Sequence, residues 1–231
     1  MNRTLLWVGA AAGAIAIVAV AAYALGFIPG VGGAAATPTP VPLATRGAGP
    51  FEPPSATPLA SPPADPAGDG TTVTVETKLG KIVMEIYNES APVAATNFTN
   101  LVQAGYYNTL VFHRIMPGFV IQGGDPNGDG TGGPGYTITD EPVVGDYERG
   151  TLAMARTGAP NSAGSQFFIV LDDAASASLD GGKYVIFGKV TSGMEIADQI
   201  ASGPSTGGQE STALDPVTME RVTVQLPSAS Y

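Results

Sequence analysis

Bulky apolar side chains return in short alternating runs only after Gly70, and that break decides which part of the chain can close a core. Ahead of it lie two stretches of different character. From Leu5 to Ile28 no side chain carries a charge. A helix of about 24 residues, at ~1.5 Å per residue, exceeds the ~30 Å hydrocarbon layer of a bilayer. Trp7 and Tyr23 sit near its two ends, where interfacial rings are favoured, and Arg3 precedes it, so the bias of positive charge predicts an N-terminus on the cytoplasmic side. Residues 1–28 therefore read as a transmembrane signal-anchor, with the rest of the chain extracytoplasmic. Cleavage after Ala24 is the rival reading, and it would give a secreted protein. Residues 29–70 are rich in Pro, Ala and Thr, including the run Thr37 to Pro42 and the pairs Pro53-Pro54 and Pro62-Pro63. With few bulky apolar groups such a segment cannot offset its ordering entropy by burial, and it reads as a disordered, extended linker.

The remaining stretch, 71–226, is long enough for one sizeable core, about 155 residues; 227–231 reads as a tail. Val73, Val75 and Thr77 alternate with polar residues, Lys78 to Lys81 forms a turn, and Ile82 to Tyr87 alternates again, which predicts a hairpin. Pro92 opens a helix to about Ala104, with Val93, Ala94, Phe98, Leu101 and Val102 at helical spacing. Further short strands fit Leu110–Ile115, Phe119–Gln122, Thr151–Ala155, Gln166–Leu171, Tyr184–Val190 and Val217–Leu226, with a second helix at Met194–Ala201. The pattern is mostly β with two helices; periodicity alone does not choose the sheet's topology.

Composition removes several chemistries. There is no cysteine, so disulfides, thiolate catalysis and Cys-based zinc sites are excluded. The net charge is −10 with no basic cluster, which argues against a nucleic-acid partner. His113 is the only histidine, and no G-x-S-x-G elbow accompanies it. Strict alternation puts Phe112 and Arg114 on one face of their strand and His113 on the other, and His113 is expected to be hydrogen-bonded in or behind the sheet. Asp125-Pro-Asn127-Gly-Asp129-Gly130 begins like a calcium loop, but Tyr136 occupies the position where a bidentate Glu is required, so an Asx-shaped turn is expected. What remains is Arg114 among apolar residues, with Phe119, Gln122, Gln166 and Phe168 nearby in pattern: a concave apolar site with a few polar groups. Taken alone, a strand arginine reads equally as a surface charge or a structural ion pair.

Three long motifs resolve that ambiguity by resemblance. They are Phe112-His-Arg114-Ile-Met-Pro-Gly-Phe119-Val-Ile-Gln122-Gly-Gly-Asp125, Met154-Ala-Arg156 through Gln166-Phe167-Phe168-Ile169, and Leu179-Asp-Gly-Gly-Lys-Tyr184-Val-Ile-Phe187-Gly188. In order and spacing the chain resembles the cyclophilin family of peptidyl-prolyl cis/trans isomerases over nearly all of 71–226, as a bacterial, membrane-anchored or exported member. The resemblance implies an eight-stranded antiparallel closed β-barrel capped by two α-helices, with its groove on the outer surface. It implies Arg114 as the catalytic residue. Phe119, Val120, Gln122, Met154, Ala155, Arg156, Gln166, Phe168, Leu179 and Tyr184 would bind substrate. The reaction needs no cofactor or metal. The expected partners are proline-containing polypeptides and, through the N-terminal helix, the lipid bilayer, with a monomeric catalytic domain. Four departures stand out: Val120 where a methionine is common, Arg156 where an asparagine is common, Tyr184 where cyclosporin-sensitive members carry a pocket histidine, and Ser178 where they carry tryptophan. The last implies weak or no cyclosporin binding. The topology read from the sequence suggests a folding aid for exported proteins. The alternatives are a proline-binding module with little turnover and a hydrolase or glycan-binding wall protein.

Overall fold

The computed structural model describes residues 51–179, 181, 184–209 and 211–227. The first two strands, β1 (Thr72–Thr77) and β2 (Gly80–Ile86), form the expected hairpin. Its turn is fixed by Thr77, whose hydroxyl donates to the Gly80 carbonyl and accepts from the Leu79 amide. Gly80 has φ +142°, a conformation that residues with a Cβ rarely adopt. α1 (Pro92–Gln103) follows, then β3 (Phe112–Met116), β4 (Val120–Gly123), β5 (Thr151–Met154) and β6 (Phe167–Val170). After a 3-10 turn at Asp173–Ala175 come α2 (Ser176–Leu179), β7 (Ile186–Ser192), α3 (Met194–Ala201) and β8 (Arg221–Gln225).

All eight strands belong to one antiparallel sheet in the order β3-β4-β6-β5-β7-β2-β1-β8. β3 and β8 are its edges, and no ladder joins them among the described residues, so the sheet is curled but open. This corrects the closed barrel. The edges approach only through isolated bridges, Val111 to Thr218 and Arg114 to Thr212, with single bonds such as Phe112 N to Val217 O at 3.0 Å. The physical reason lies between α3 and β8: Pro204, Gly207, Gly208 and Pro216 interrupt pairing before a second ladder can form.

Among the described residues there are three α-helices rather than two. α2 is four residues long, too short to show a helical period, and the turn before it is capped by Asp172, whose carboxylate accepts from Ala174 N. None of the described helices is long and apolar enough to cross a membrane. The longest, α1, has 12 residues and spans about 18 Å, against the ~30 Å required. The expected span at 1–28 lies outside the described residues. The expected transmembrane helix, the bilayer as partner and the membrane localisation are therefore corrected to this extent: no described helix supports them.

The linker expectation changes too. Within 51–70 the chain packs on the sheet domain. The Phe51 ring meets Tyr106 edge-on with centroids 5.0 Å apart. Ala67 N donates to Ser90 Oγ at 2.6 Å, and Asp69 Oδ1 accepts from Thr71 N. A side chain at Gly145 would collide with Pro66. Composition prices this segment as unable to fold alone; it orders because a finished surface is offered to it.

Two apolar clusters hold the sheet. The inner one is built on Phe98, Tyr107, Phe112, Phe167 and Phe187, with ring centroids 4.9 to 5.2 Å apart around Phe98. The outer one joins Val120, Ala153, Phe168, Val170, Leu179 and Ile186 on the opposite face. Covered on both sides, β4, β5 and β6 are buried at every residue. The outer cluster is the floor on which the candidate site stands.

Candidate active site

Arg114 reaches the outer face because β3 does not alternate strictly. Its register with β4 slips between Phe112 and Arg114, so His113 is the extra residue of a β-bulge. Phe112 and Ile115 both enter the inner core, whereas Arg114 faces outward. The expectation that Phe112 and Arg114 share a face is thus corrected by the bulge.

The guanidinium carbon of Arg114 lies 5.7 Å from the centre of the Phe119 ring, within cation–π reach. Nη1 donates to Gln122 Oε1 at 3.4 Å. Nη2 and Nε donate to the Gln209 carbonyl at 2.7 and 3.1 Å. Gln122 is fixed in turn: its Nε2 donates to Gln166 Oε1 at 2.9 Å, and Gln166 Nε2 donates to the carbonyls of Gly130 and Gly132, each at 2.9 Å. The relay ties the arginine to two strands and a loop.

Around Arg114 lies a cavity of about 110 Å³, lined by Phe119, Val120, Gln122, Ala155, Arg156, Phe168, Leu179 and Tyr184 among others. Of the residues expected to bind substrate, only Met154 and Gln166 are absent from it. On β5 the side chains alternate, so Met154 enters the inner core while Ala153 and Ala155 face outward. Gln166 borders an adjoining pocket of about 200 Å³ and reaches the site through Gln122. Arg156 separates the two pockets. It neither points to solvent nor stands as a free cation: Nη1 pairs with Asp140 Oδ2 at 2.9 Å, and Nε donates to the Thr157 carbonyl at 3.2 Å.

His113 borders the cavity as well, contrary to its expected place, and its buried Nδ1 has no hydrogen-bond partner among the described residues. Burial pushes its pKa below 6.5, against the pull of Asp125, so the ring is neutral at pH 7. Burial pushes the Tyr184 hydroxyl above 10, although Arg114 and Arg156 oppose the shift. The Tyr184 ring stands edge-on to Phe168 at 5.4 Å, and its backbone is held at both ends by Tyr147: the Tyr147 hydroxyl donates to Tyr184 O at 2.8 Å and accepts from Tyr184 N at 3.0 Å. Beside the cavity, Asp125 folds the Gly-rich loop as an Asx turn, accepting from the amides of Asn127, Asp129 and Gly130. Its oxygens are occupied by backbone, and no cluster of metal-binding side chains occurs among the described residues.

Among the described residues the site is thus an oriented cation, Arg114, against an apolar, ring-lined floor, with no carboxylate pair lining it. Residues 72–224 match the family model described as cyclophilin type peptidyl-prolyl cis-trans isomerase/CLD.

The chain belongs to the cyclophilin family.

Peptidyl-prolyl cis-trans isomerase B of Bacillus subtilis is 47% identical over 125 residues, 53% of this chain and 85% of that protein. A peptidyl-prolyl cis-trans isomerase of Acinetobacter baylyi is 41% identical over 167 residues, 68% of this chain and 86% of the relative. Among solved structures, a cyclophilin type peptidyl-prolyl cis-trans isomerase of Cryptosporidium parvum superposes with a TM-score of 0.61 at 34% identity, covering 68% of this chain and 99% of that one. A second structure of that protein was obtained in the presence of the dipeptide Ala-Pro, with a TM-score of 0.60. In this cyclophilin two of the three motifs, Phe112–Asp125 and Met154–Ile169, lie within the matched residues and carry Arg114, Phe119, Gln122 and Phe168.

Proposed function

We propose that this peptidyl-prolyl cis-trans isomerase turns X-Pro peptide bonds through Arg114, with the proline ring seated between Phe119 and Phe168. Isomerase activity on X-Pro bonds follows from the family; the residue roles are our reading. The observation that carries it is the Arg114 guanidinium held over the Phe119 ring at 5.7 Å, at the edge of the apolar cavity.

The reaction breaks no covalent bond. Resonance sets a barrier of about 18–20 kcal/mol to rotation of the amide. As the bond twists, resonance is lost and the proline nitrogen becomes a hydrogen-bond acceptor. A guanidinium offers a rigid, planar set of donors to that nitrogen or to a neighbouring carbonyl. A donor that engages the twisted amide better than the planar one lowers the barrier rather than merely tightening binding. The apolar walls of Val120, Phe119, Leu179 and Phe168 exclude water and strengthen that interaction. Gln122, itself fixed by Gln166, steadies one edge of the arginine. Tyr184 and Ala155 complete the walls, and Arg156, already paired with Asp140, shapes the rim without adding a free charge. Met154 supports the floor from the inner side.

The substrate class is a proline-containing polypeptide. Ser178, on the single turn of α2, gives no large ring to a bulky macrocycle, so cyclosporin binds weakly or not at all.

Arg114→Lys keeps the charge and removes the planar fork. Its kcat/KM for a Pro-containing peptide is expected to fall by roughly 100-fold, the scale of losing one oriented transition-state donor. A folded Arg114→Lys protein working at the wild-type rate overturns the assignment.

A further inference from the structure

Gln122 is a weak keeper of Arg114, because an N···O separation of 3.4 Å is near the outer limit of a hydrogen bond. The closer contacts come from a backbone carbonyl. Gln209 O accepts from both Nη2 and Nε of Arg114, at 2.7 and 3.1 Å. One acceptor facing one edge of a planar guanidinium fixes the plane's direction as well as its position.

That carbonyl sits near the tip of a small hairpin. Its two arms are joined by a bridge between Ser205 and Ala213, by Thr206 N to Thr212 O at 3.0 Å, and by Leu214 N to Pro204 O at 2.8 Å. Thr206 Oγ1 accepts from Thr212 N at 3.0 Å. The returning arm is pinned to the edge of β3: Ile115 N donates to Ser211 O at 3.0 Å and Ala213 N to His113 O at 2.9 Å. The base is therefore anchored independently of its tip. At the tip, Gly207 and Gly208 have φ of +72° and +77°. A Cβ at either would meet nothing within 4 Å. These glycines are there for backbone conformation, not for lack of room.

We infer that the paired arms 204–209 and 211–214 are a positioning element for catalysis, in which the Gln209 carbonyl clamps the Nε–Nη2 edge of Arg114 and aims the guanidinium into the groove. The inference rests on Arg114 being the catalytic residue. Since the acceptor is a carbonyl, recognition depends on the course of the backbone at 207–209 and not on the side chain at 209. Loss of the clamp leaves the apolar walls of the proline pocket intact, because Phe119, Val120, Phe168 and Leu179 all lie outside these arms, which lend the cavity only Thr212. It therefore lowers turnover without weakening substrate binding.

The test is Gly208→Val in the full chain, which places a β-branched residue at positive φ and turns the tip. Turnover at saturating Pro peptide is read by NMR exchange, and the peptide Kd by titration. kcat is expected to fall about tenfold, a fraction of what a misplacement of ~1 Å can cost, with Kd within about twofold of wild type. In an Arg114→Lys background the same substitution should give less than about a twofold further loss, because the group it aims is already gone. Gly208→Ala, a milder distortion, is expected to lose about threefold and serves if the valine variant does not fold. Wild-type turnover in the folded glycine variants overturns the inference, and so does an equal loss in both backgrounds or a loss carried by Kd. Wild-type turnover in Arg114→Lys alone overturns instead the catalytic assignment beneath it.

Discussion

The N-terminus of α1 depends on a carboxylate from a distant loop, and its removal has a calculable consequence. Ala91 stands at the N-cap and offers no side-chain oxygen. Glu141 takes that place: Oε1 accepts from Val93 N and Oε2 from Ala94 N, both at 2.9 Å, and the residue is buried. Glu141→Ala leaves both amides buried without partners. Each costs about 1–3 kcal/mol. The loss is partly offset because the carboxylate is itself paying for burial: desolvation raises its pKa above 4.5 despite the two amides that lower it. The net expectation is about 2–4 kcal/mol. For a domain of 150–250 residues each kcal/mol moves Tm by about 2–4 °C, so Tm should drop by roughly 8 °C. Thermal unfolding followed by circular dichroism at pH 7 measures it. Glu141→Gln, with one acceptor oxygen, should fall between the two. The raised pKa also fixes a sign. The folded state holds that proton more tightly than the unfolded state, so this group's contribution declines as pH rises above 4.5. Wild type should therefore gain on Glu141→Gln as pH is lowered from 7 toward 4.5. A Tm within about 2 °C of wild type for Glu141→Ala refutes the reasoning, since it would mean that water replaces the carboxylate at no cost.

Other outcomes follow from contacts already described. Phe51→Ala should destabilise the chain by about 1–2 kcal/mol in urea unfolding through loss of the edge-on contact with Tyr106, whereas an unpacked linker would show no effect. Asp125→Ala removes an acceptor shared by three loop amides and should cost about 3–5 kcal/mol while lowering turnover, because Gly130 O anchors Gln166; unchanged stability would mean the loop is shaped elsewhere. The kcat/KM of the folded enzyme should be flat between about pH 7.5 and 8.5: burial lowers the His113 pKa and keeps that ring neutral there, and burial keeps Tyr184 protonated. A titration in that window, abolished in a His113 variant, would show that the histidine takes part.

Much of the site was legible because its side chains are spelled out in unbroken motifs. Arg114, Phe119, Gln122 and Phe168, all named in those motifs, line one cavity. The β1–β2 hairpin and α1 were legible from period alone, since one face of each is buried. Faces were harder. Alternation misplaced His113 because a bulge inserts one residue, and bulges leave no reliable mark on composition. Met154 was grouped with its neighbour Ala155, yet adjacent strand residues point to opposite sides. The Gln209 carbonyl could not be found at all from residue types, since every residue carries that group.

By itself the amino-acid order determined which chemistry the chain can perform: it lacks thiols, has a single histidine, and repeats a family's motif around one arginine. It also determined where most strands and the longer helices begin, because local period and turn residues are local properties. Only the tertiary structure decided whether the sheet closes, that Phe51 docks on Tyr106, that Glu141 caps a helix from across the fold, and what holds Arg114 in place. Those outcomes depend on contacts between segments far apart in the chain, whose geometry is set by the packed whole.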